Sequence, residues 1–184
     1  LGTALAVCYV MIFVIPTYMS MAPIYPENKR LSTYTIEHIK LKQAGQESTL
    51  MLSSRIWYEM LSRMKAVKDI AMVCYPNEEK IISQDDKHYK KLKYRRLSPN
   101  AFKLYEFDFV EGRPFTWKEL EAGKAGAIIT EDAAKALFGS AEKVVGRVLK
   151  FSYTPMTIQG VVKTPSMYAK NIRADIYLPR DNLE

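Results

Sequence analysis

The chain has 184 residues and carries 27 Lys and Arg against 20 Asp and Glu, so its formal net charge is +7. Hydrophobic residues make up 48% of it, which is usual for a globular protein and excludes a disordered chain. The positive balance favours anionic partners or surfaces without choosing among nucleic acid, lipid headgroups and acidic peptides.

The charged residues are unevenly distributed, because none of them precedes Glu27. The uncharged segment Leu1–Pro26 is long enough for a helix that crosses a membrane, which takes about 20 apolar residues. A secretory signal would have a basic start and a small-residue cleavage site, and a buried helix apolar on every face would need more surrounding protein. The sequence therefore predicts a transmembrane helix over residues 1–25 and one water-soluble domain over residues 26–184.

The first half of the soluble domain is predicted to contain a strand, a helix and a meander. Alternating apolar residues indicate a strand over Arg30–Lys42. Apolar residues at helical spacing indicate an amphipathic helix, with Ser48 as its N-cap and Val67 near its end. Three strands with turn residues between them are predicted next, at Asp69–Tyr75, Lys80–Gln84 and Tyr89–Leu97.

Helix caps dominate the second half. Three short helices are predicted, one starting at Ser98–Pro99, one between the capping box Thr116/Glu119 and Gly123, and one between Thr130 and Gly139. Strands are predicted at Ala125–Ile129, Arg147–Tyr153, Met156–Lys163 and Asp175–Leu178. The predicted fold class is α+β, with an N-terminal transmembrane helix followed by a mixed α/β domain whose strands are mainly antiparallel.

The residue pattern does not indicate a catalytic or metal site. The chain has two His and two Cys, and neither pair stands at metal-ligand spacing such as HExxH or CxxC. The patterns GxxxxGK[ST] and GxSxG are both missing, so the chain is not expected to bind ATP itself or to be a hydrolase of that class. Three acidic pairs stand at turns or helix starts, where acids are favoured for structural reasons: Glu78-Glu79, Asp85-Asp86 and Glu131-Asp132. No catalytic residue, cofactor or metal is therefore predicted.

The densest charge feature is the segment HYKKLKYRR, in which basic residues alternate with tyrosines. Basic residues beside aromatic rings are typical of single-stranded nucleic acid binding, but lysines in a strand also block unwanted pairing at an exposed edge. The second interpretation is favoured, because a membrane span would place the segment near anionic lipid headgroups and not near nucleic acid. The candidates for contact with an anionic surface are Lys90, Lys91, Lys93, Arg95 and Arg96.

Four segments from Leu97 onward follow one another in an order that resembles a known family. They are LSPNAFKLYEFDFVEGRPFT, AGAIITEDAAKALFG, VVGRVLKF and TIQGVV. Behind an apolar first segment and the strand-like RLSTYTIEHIKL, they resemble the MacB-like periplasmic core domain of bacterial ABC transporter permeases in the wider FtsX-like group. The three further spans of such permeases are not in this sequence, so it is expected to be a fragment.

The resemblance implies a noncatalytic extracytoplasmic domain that couples ATP-driven motion of a partner ATPase to export or release of a lipid, peptide or lipoprotein. It implies an ABC ATPase on a separate chain or domain, a second permease copy and, in many members, a periplasmic adaptor. It also implies the bacterial inner membrane, with this domain in the periplasm. The alternative function is a membrane-tethered sensor or binding domain that recognises an anionic ligand through Lys90 to Arg96.

Overall fold

The computed structural model describes residues 2–15, 24–36, 39–43, 46–50, 54–151 and 154–180. The helices are α1 (Gly2–Tyr9), α2 (Ser54–Ser62), α3 (Asn100–Leu104), α4 (Trp117–Glu121) and α5 (Glu131–Phe138). The strands are β1 (Ile39–Gln43), β2 (Gln46–Leu50), β3 (Asn77–Ser83), β4 (Tyr89–Leu97), β5 (Phe109–Gly112), β6 (Ala127–Thr130), β7 (Val148–Phe151), β8 (Thr154–Val162) and β9 (Ile176–Pro179).

The N-terminal helix α1 continues into a π-helical segment, Val10–Val14, whose side chains are exposed. Among the residues that the structure describes, no helix has the length and apolar character needed to cross a membrane. Residues 16–23 of the predicted span lie outside the described part of the chain. The transmembrane helix over residues 1–25 therefore stays a prediction.

The segments between Arg30 and Val67 differ from the prediction. Arg30–Ser32 forms a 3₁₀ turn, and the strand begins only at Ile39 and pairs antiparallel with β2. The predicted N-cap Ser48 lies within β2, opposite Leu41, so the helix starts later, at Ser54. A backbone already committed to a ladder cannot also begin a helix, which is why this helix is shorter than predicted.

The predicted strand Asp69–Tyr75 forms only an isolated bridge, in which Val73 pairs with Leu97. Ser98 holds the segment instead, because its Oγ accepts the N–H of Met72 at 2.9 Å and its own N–H donates to the Met72 carbonyl at 3.0 Å. Pro76 follows the bridge and has no N–H to donate, so the ladder is interrupted until β3 begins.

The main sheet has seven strands in the order β5-β8-β6-β9-β4-β3-β7, and a further pairing of β7 with β8 closes six of them into a ring, with β5 outside it. Its middle strand β9 runs parallel to β4 and antiparallel to β6, and β6 runs parallel to β8. The sheet is therefore mixed, and the prediction of mainly antiparallel strands was wrong. Turn residues in the sequence indicate only which consecutive strands pair. Parallel strands are joined by long crossovers, so turn residues could not indicate these pairings.

Each face of the main sheet carries a hydrophobic core. Ile176 and Leu178 of β9 point into the first core, which α5 covers, and Tyr177 points into the second. The second core is built around the ring of Phe102 on α3, which meets four other aromatic rings at steep angles. Because both faces are covered, β6 and β9 are buried at every position, as expected for strands in the middle of a layered domain.

The predicted caps of α4 and α5 are confirmed. Thr130 accepts the N–H of Ala133 at 3.2 Å, and Gly139 ends α5 with φ of 76°. Thr116 and Glu119 form the reciprocal capping box of α4. Hydrogen bonds from Arg113, and then from Thr116, hold the pKa of the Glu119 carboxyl well below its usual range. These caps fix the turns on either side of β6.

Candidate functional site

The five predicted basic residues all lie on β4, which is paired with β9 on one side and β3 on the other, so the interpretation that its lysines protect an exposed edge was wrong. The pairing with β3 determines how the basic residues are displayed. The register aligns Lys91 with Lys80, Lys93 with Glu78, and Tyr89 with Ile82. Residues that are directly paired across two strands share a face of the sheet. We call the surface formed by Glu78, Lys80, Tyr89, Lys91 and Lys93 the basic face.

Positive charge exceeds negative charge on the basic face. Its acid, Glu78, contacts the Lys91 ammonium at 3.1 Å and lies 3.9 Å from that of Lys93. The Lys80 ammonium lies 4.2 Å from the centre of the Tyr89 ring, a cation–π geometry. Lys80 and Lys91 stand directly opposite each other, and like charges at such positions destabilise a sheet. The side chains of Lys91 and Lys93 remain 72% and 61% exposed, so the surface is open to a partner.

Arg95 points to the same side of β4 but is buried, with only 6% of its surface exposed. Its guanidinium donates to the carbonyl oxygens of Cys74 and Lys170 at 3.0 Å, and to that of Arg173 at 3.3 Å. Burial lowers its pKa. The structure therefore places Arg95 inside the domain, where it binds backbone, and a surface partner cannot reach it.

Lys90 and Arg96 point to the other side of β4. Lys90 is exposed opposite Ile81, and Arg96 is half-buried beside Leu178 of β9. The run of basic residues is thus split between two faces by the alternation of side chains along a strand. Sequence reasoning missed Lys80, which lies outside the run, and only the hairpin register could have placed it beside Lys91.

Two of the acidic pairs stand at a turn or a helix start, as predicted, whereas Glu78-Glu79 lies within β3 and the prediction of a turn there was wrong. Asp85 accepts a hydrogen bond from the Ser83 hydroxyl, which lowers the pKa of its carboxyl. Asp86 contacts the Lys150 ammonium at 2.7 Å, and Asp132 lies in the first turn of α5. Within the described ranges, no group of His, Cys, Asp and Glu is arranged to hold a metal ion. His38 lies outside the described residues.

One small cavity in the described part of the chain suits water better than a larger ligand. The cavity between Glu27, Tyr105 and Asn171 has a volume of about 20 Å³, which is close to that of one water molecule. A second depression, which Gly112 and Lys124 help to line, is a cleft that is open to the surface. The basic face is therefore the strongest candidate for recognition, and it would act as a flat surface.

Comparison with known proteins links the fold to a transporter family. The sequence profile described as MacB-like periplasmic core domain matches residues 18–184. Over 83 residues, or 45% of this chain, the sequence is 31% identical to the macrolide export ATP-binding/permease protein MacB of Pasteurella multocida (strain Pm70). The match covers 13% of that relative, so this chain corresponds to a small part of its length.

Two solved structures are similar to the fold. The crystal structure of the periplasmic region of MacB from Actinobacillus actinomycetemcomitans has a TM-score of 0.53 and 16% identity, with 66% of this chain and 52% of that chain covered. The extracellular domain of the noncanonic ABC-type transporter YknZ from Gram-positive bacteria has a TM-score of 0.50 and 17% identity, with 68% and 60% covered. At these identities the likeness concerns the fold alone.

Proposed function

Because this chain belongs to the MacB-like periplasmic core domain family of ABC transporter permeases, we propose that it couples the ATP-driven motion of a partner ATPase to transport. The substrate would be a lipid, peptide or lipoprotein that is exported across the membrane or released from it. The match over residues 18–184 is the observation that carries the proposal. The proposal includes an inner-membrane permease, anchored by a span over residues 1–25, with this domain in the periplasm.

The partners in this proposal are an ABC ATPase on a separate chain or domain, a second permease copy and a periplasmic adaptor. The packing of the domain supports a mechanical role that needs no catalysis. In the part of the chain that the structure describes, every buried side-chain nitrogen and oxygen has a hydrogen-bond partner. The closed strand ladder and the cores on both of its faces make the domain suited to move as one body.

The coupling can be tested by measuring distances in the full-length permease, reconstituted in liposomes with its ATPase. A spin label at Lys135→Cys, an exposed site on α5, would be used in a Cys8→Ser and Cys74→Ser background. We expect a non-hydrolysable ATP analogue to shift the distance between the labels of the two permease copies. An ATPase variant that cannot bind nucleotide is the control. Identical distances with and without nucleotide would contradict the proposal.

A second function, contact with an anionic ligand, is supported by the unneutralised charge on the basic face. Lys80 and Lys91 repel each other across the hairpin, and Glu78 is the one acid of that face. Anionic groups bound over these lysines would relieve the repulsion. In this proposal the chain is a membrane-tethered sensor or binding domain. It recognises the anionic ligand through the basic face, where Lys80, Lys91 and Lys93 make the contacts.

The anionic contact is tested by reversing two charges. We expect Lys91→Glu with Lys93→Glu to weaken binding to vesicles that contain phosphatidylglycerol by at least about tenfold, because each lysine near such a surface contributes about 1 kcal/mol. The matched control reverses Lys118 on α4 and Lys135 on α5, two lysines that are also exposed but lie far from the basic face in the chain. Equal binding by the two double variants would remove this second function.

A further inference from the structure

Three buried polar side chains from distant parts of the chain meet at the loop Ala169–Ala174, which we call the junction loop. They are Glu27, which precedes the 3₁₀ turn, Arg95 of β4 and Tyr177 of β9, with 5%, 6% and 0% of their surfaces exposed. The junction loop leads directly into β9, the strand between β4 and β6. It therefore connects the surface of the domain to the middle of its sheet.

Glu27 binds the junction loop through its backbone N–H groups. One carboxylate oxygen accepts the N–H of Asn171 at 2.7 Å and that of Ile172 at 3.0 Å, and the other accepts the Asn171 side-chain amide at 3.4 Å. Burying a carboxylate destabilises a protein unless the group is hydrogen-bonded in this way. A buried acid whose bonds span 144 positions of the chain ties two particular segments together.

Arg95 and Tyr177 bind the same loop from the sheet. Arg95 donates to the carbonyls of Lys170 and Arg173, as described above. The Tyr177 hydroxyl donates to the Ile172 carbonyl at 3.2 Å and accepts the N–H of Ala174 at 3.3 Å. The loop is thus held by its N–H groups on the Glu27 side and largely by its carbonyl groups on the sheet side.

The segment that carries Glu27 is itself fixed to the domain at both ends. We call Ile24–Lys29 the linker segment. The carbonyl of Tyr25 accepts the N–H of Ser166 at 2.9 Å, and its hydroxyl accepts the N–H of Asp108 at 2.9 Å. Lys29 forms an exposed ion pair with Glu106 at 2.6 Å. The contacts of Tyr25 and Lys29 attach the linker segment to other parts of the domain, whereas Glu27 attaches it to the junction loop.

We propose that the junction loop passes movement of the linker segment to the middle of the sheet, and that Glu27 is the positioning residue for this transfer. The linker segment contains the boundary between the predicted span and the domain, so in a moving permease a displacement of the span acts on it directly. With Glu27 bonded to the junction loop, β9 and β4 move with the linker segment. Without it, the linker segment stays attached through Tyr25 and Lys29, and its movement no longer reaches the junction loop. The inference rests on the proposed coupling function.

The test is hydrogen–deuterium exchange on the full-length permease assembled with its ATPase, with and without a non-hydrolysable ATP analogue. In the wild type, we expect nucleotide to change exchange in peptides from the linker segment and in peptides spanning 169–179. In Glu27→Ala, the amides of Asn171 and Ile172 should exchange at least about tenfold faster, because they lose a charged acceptor. The nucleotide response should persist in the linker segment and disappear from 169–179.

Lys29→Ala is the matched control, since it removes an exposed ion pair of the same linker segment and should behave as the wild type. If Glu27→Ala does not assemble, Glu27→Gln keeps the shape and weakens the same bonds, with a smaller effect in the same direction. If exchange in 169–179 of the Glu27 variants still changes with nucleotide, the role of Glu27 is overturned, but the proposed coupling function is not. Unchanged exchange in 169–179 of the wild type, with label distances that do shift with nucleotide, would overturn the transfer of movement. Label distances that do not shift would overturn the proposed function itself.

Discussion

Replacing Gly112 by alanine is expected to lower the free energy of unfolding by about 3 kcal/mol or more. Gly112 ends β5 with φ of +73°, a conformation that costs an L-residue stability. An added Cβ would also lie 2.2 Å from the Gln159 carbonyl oxygen and 2.8 Å from the Gly160 Cα, both of which are backbone atoms of β8. Since neither atom can move aside, β5 would be forced away from β8.

The control for this prediction is Gly139→Ala at the end of α5. Gly139 has nearly the same backbone conformation, with φ of +76°, but a Cβ there would meet no atom within 4 Å. The free energy of unfolding of this variant should therefore fall only by the cost of the left-handed backbone conformation, about 1 to 2 kcal/mol. Urea denaturation of the two variants separates the effect of the contact with β8 from the effect of the backbone conformation. Equal losses would show that the close approach of β5 and β8 contributes nothing.

Replacing Phe102 by alanine is the second change for which we expect a large effect. The ring is 3% exposed, and its centre lies 5.1 Å from that of Phe115, 5.3 Å from that of Phe107 and 6.3 Å from that of Tyr177. Removal leaves a cavity that rigid aromatic neighbours cannot fill, and truncations of this kind cost about 3 to 5 kcal/mol. The second core should loosen while the first, on the other face, keeps its packing.

Thermal unfolding together with near-ultraviolet circular dichroism measures this effect, because the dichroism reports the packing of the aromatic rings. Tyr34→Ala is the control, since this tyrosine is 88% exposed and its removal should change the free energy of unfolding by less than about 0.5 kcal/mol. A Phe102 variant as stable as the Tyr34 variant would mean that the aromatic cluster is not part of the cooperative core.

The elements that the sequence predicted well are those defined by local chemistry. Thr130, Gly139 and the Thr116/Glu119 box each act within one turn of a helix, so neighbouring residues suffice to identify them. The family resemblance, which depends on the order of such elements, is confirmed by the profile match. Local signals of this kind lie mostly after Leu97.

The features that the sequence did not predict depend on partners far along the chain. The burial of Arg95 follows from carbonyl groups 75 and 78 positions away, and nothing near β4 distinguishes it from the exposed Lys93. The parallel pairing of β4 with β9 depends on a crossover through four other strands and three helices. Glu27 likewise looked like the first charge after an apolar segment, because its partners come 144 positions later.

The position of β9 has a consequence for how the domain is made. This strand is the last of the described strands to be synthesised, yet it lies between β4 and β6 and supplies residues to both cores. Until it emerges, β4 and β6 each have an unpaired edge and neither core is complete. A chain that leaves the ribosome or a translocation channel from its N-terminus therefore has to be protected from aggregation until Ile176–Pro179 arrives, and a premature stop before this strand should leave no native domain.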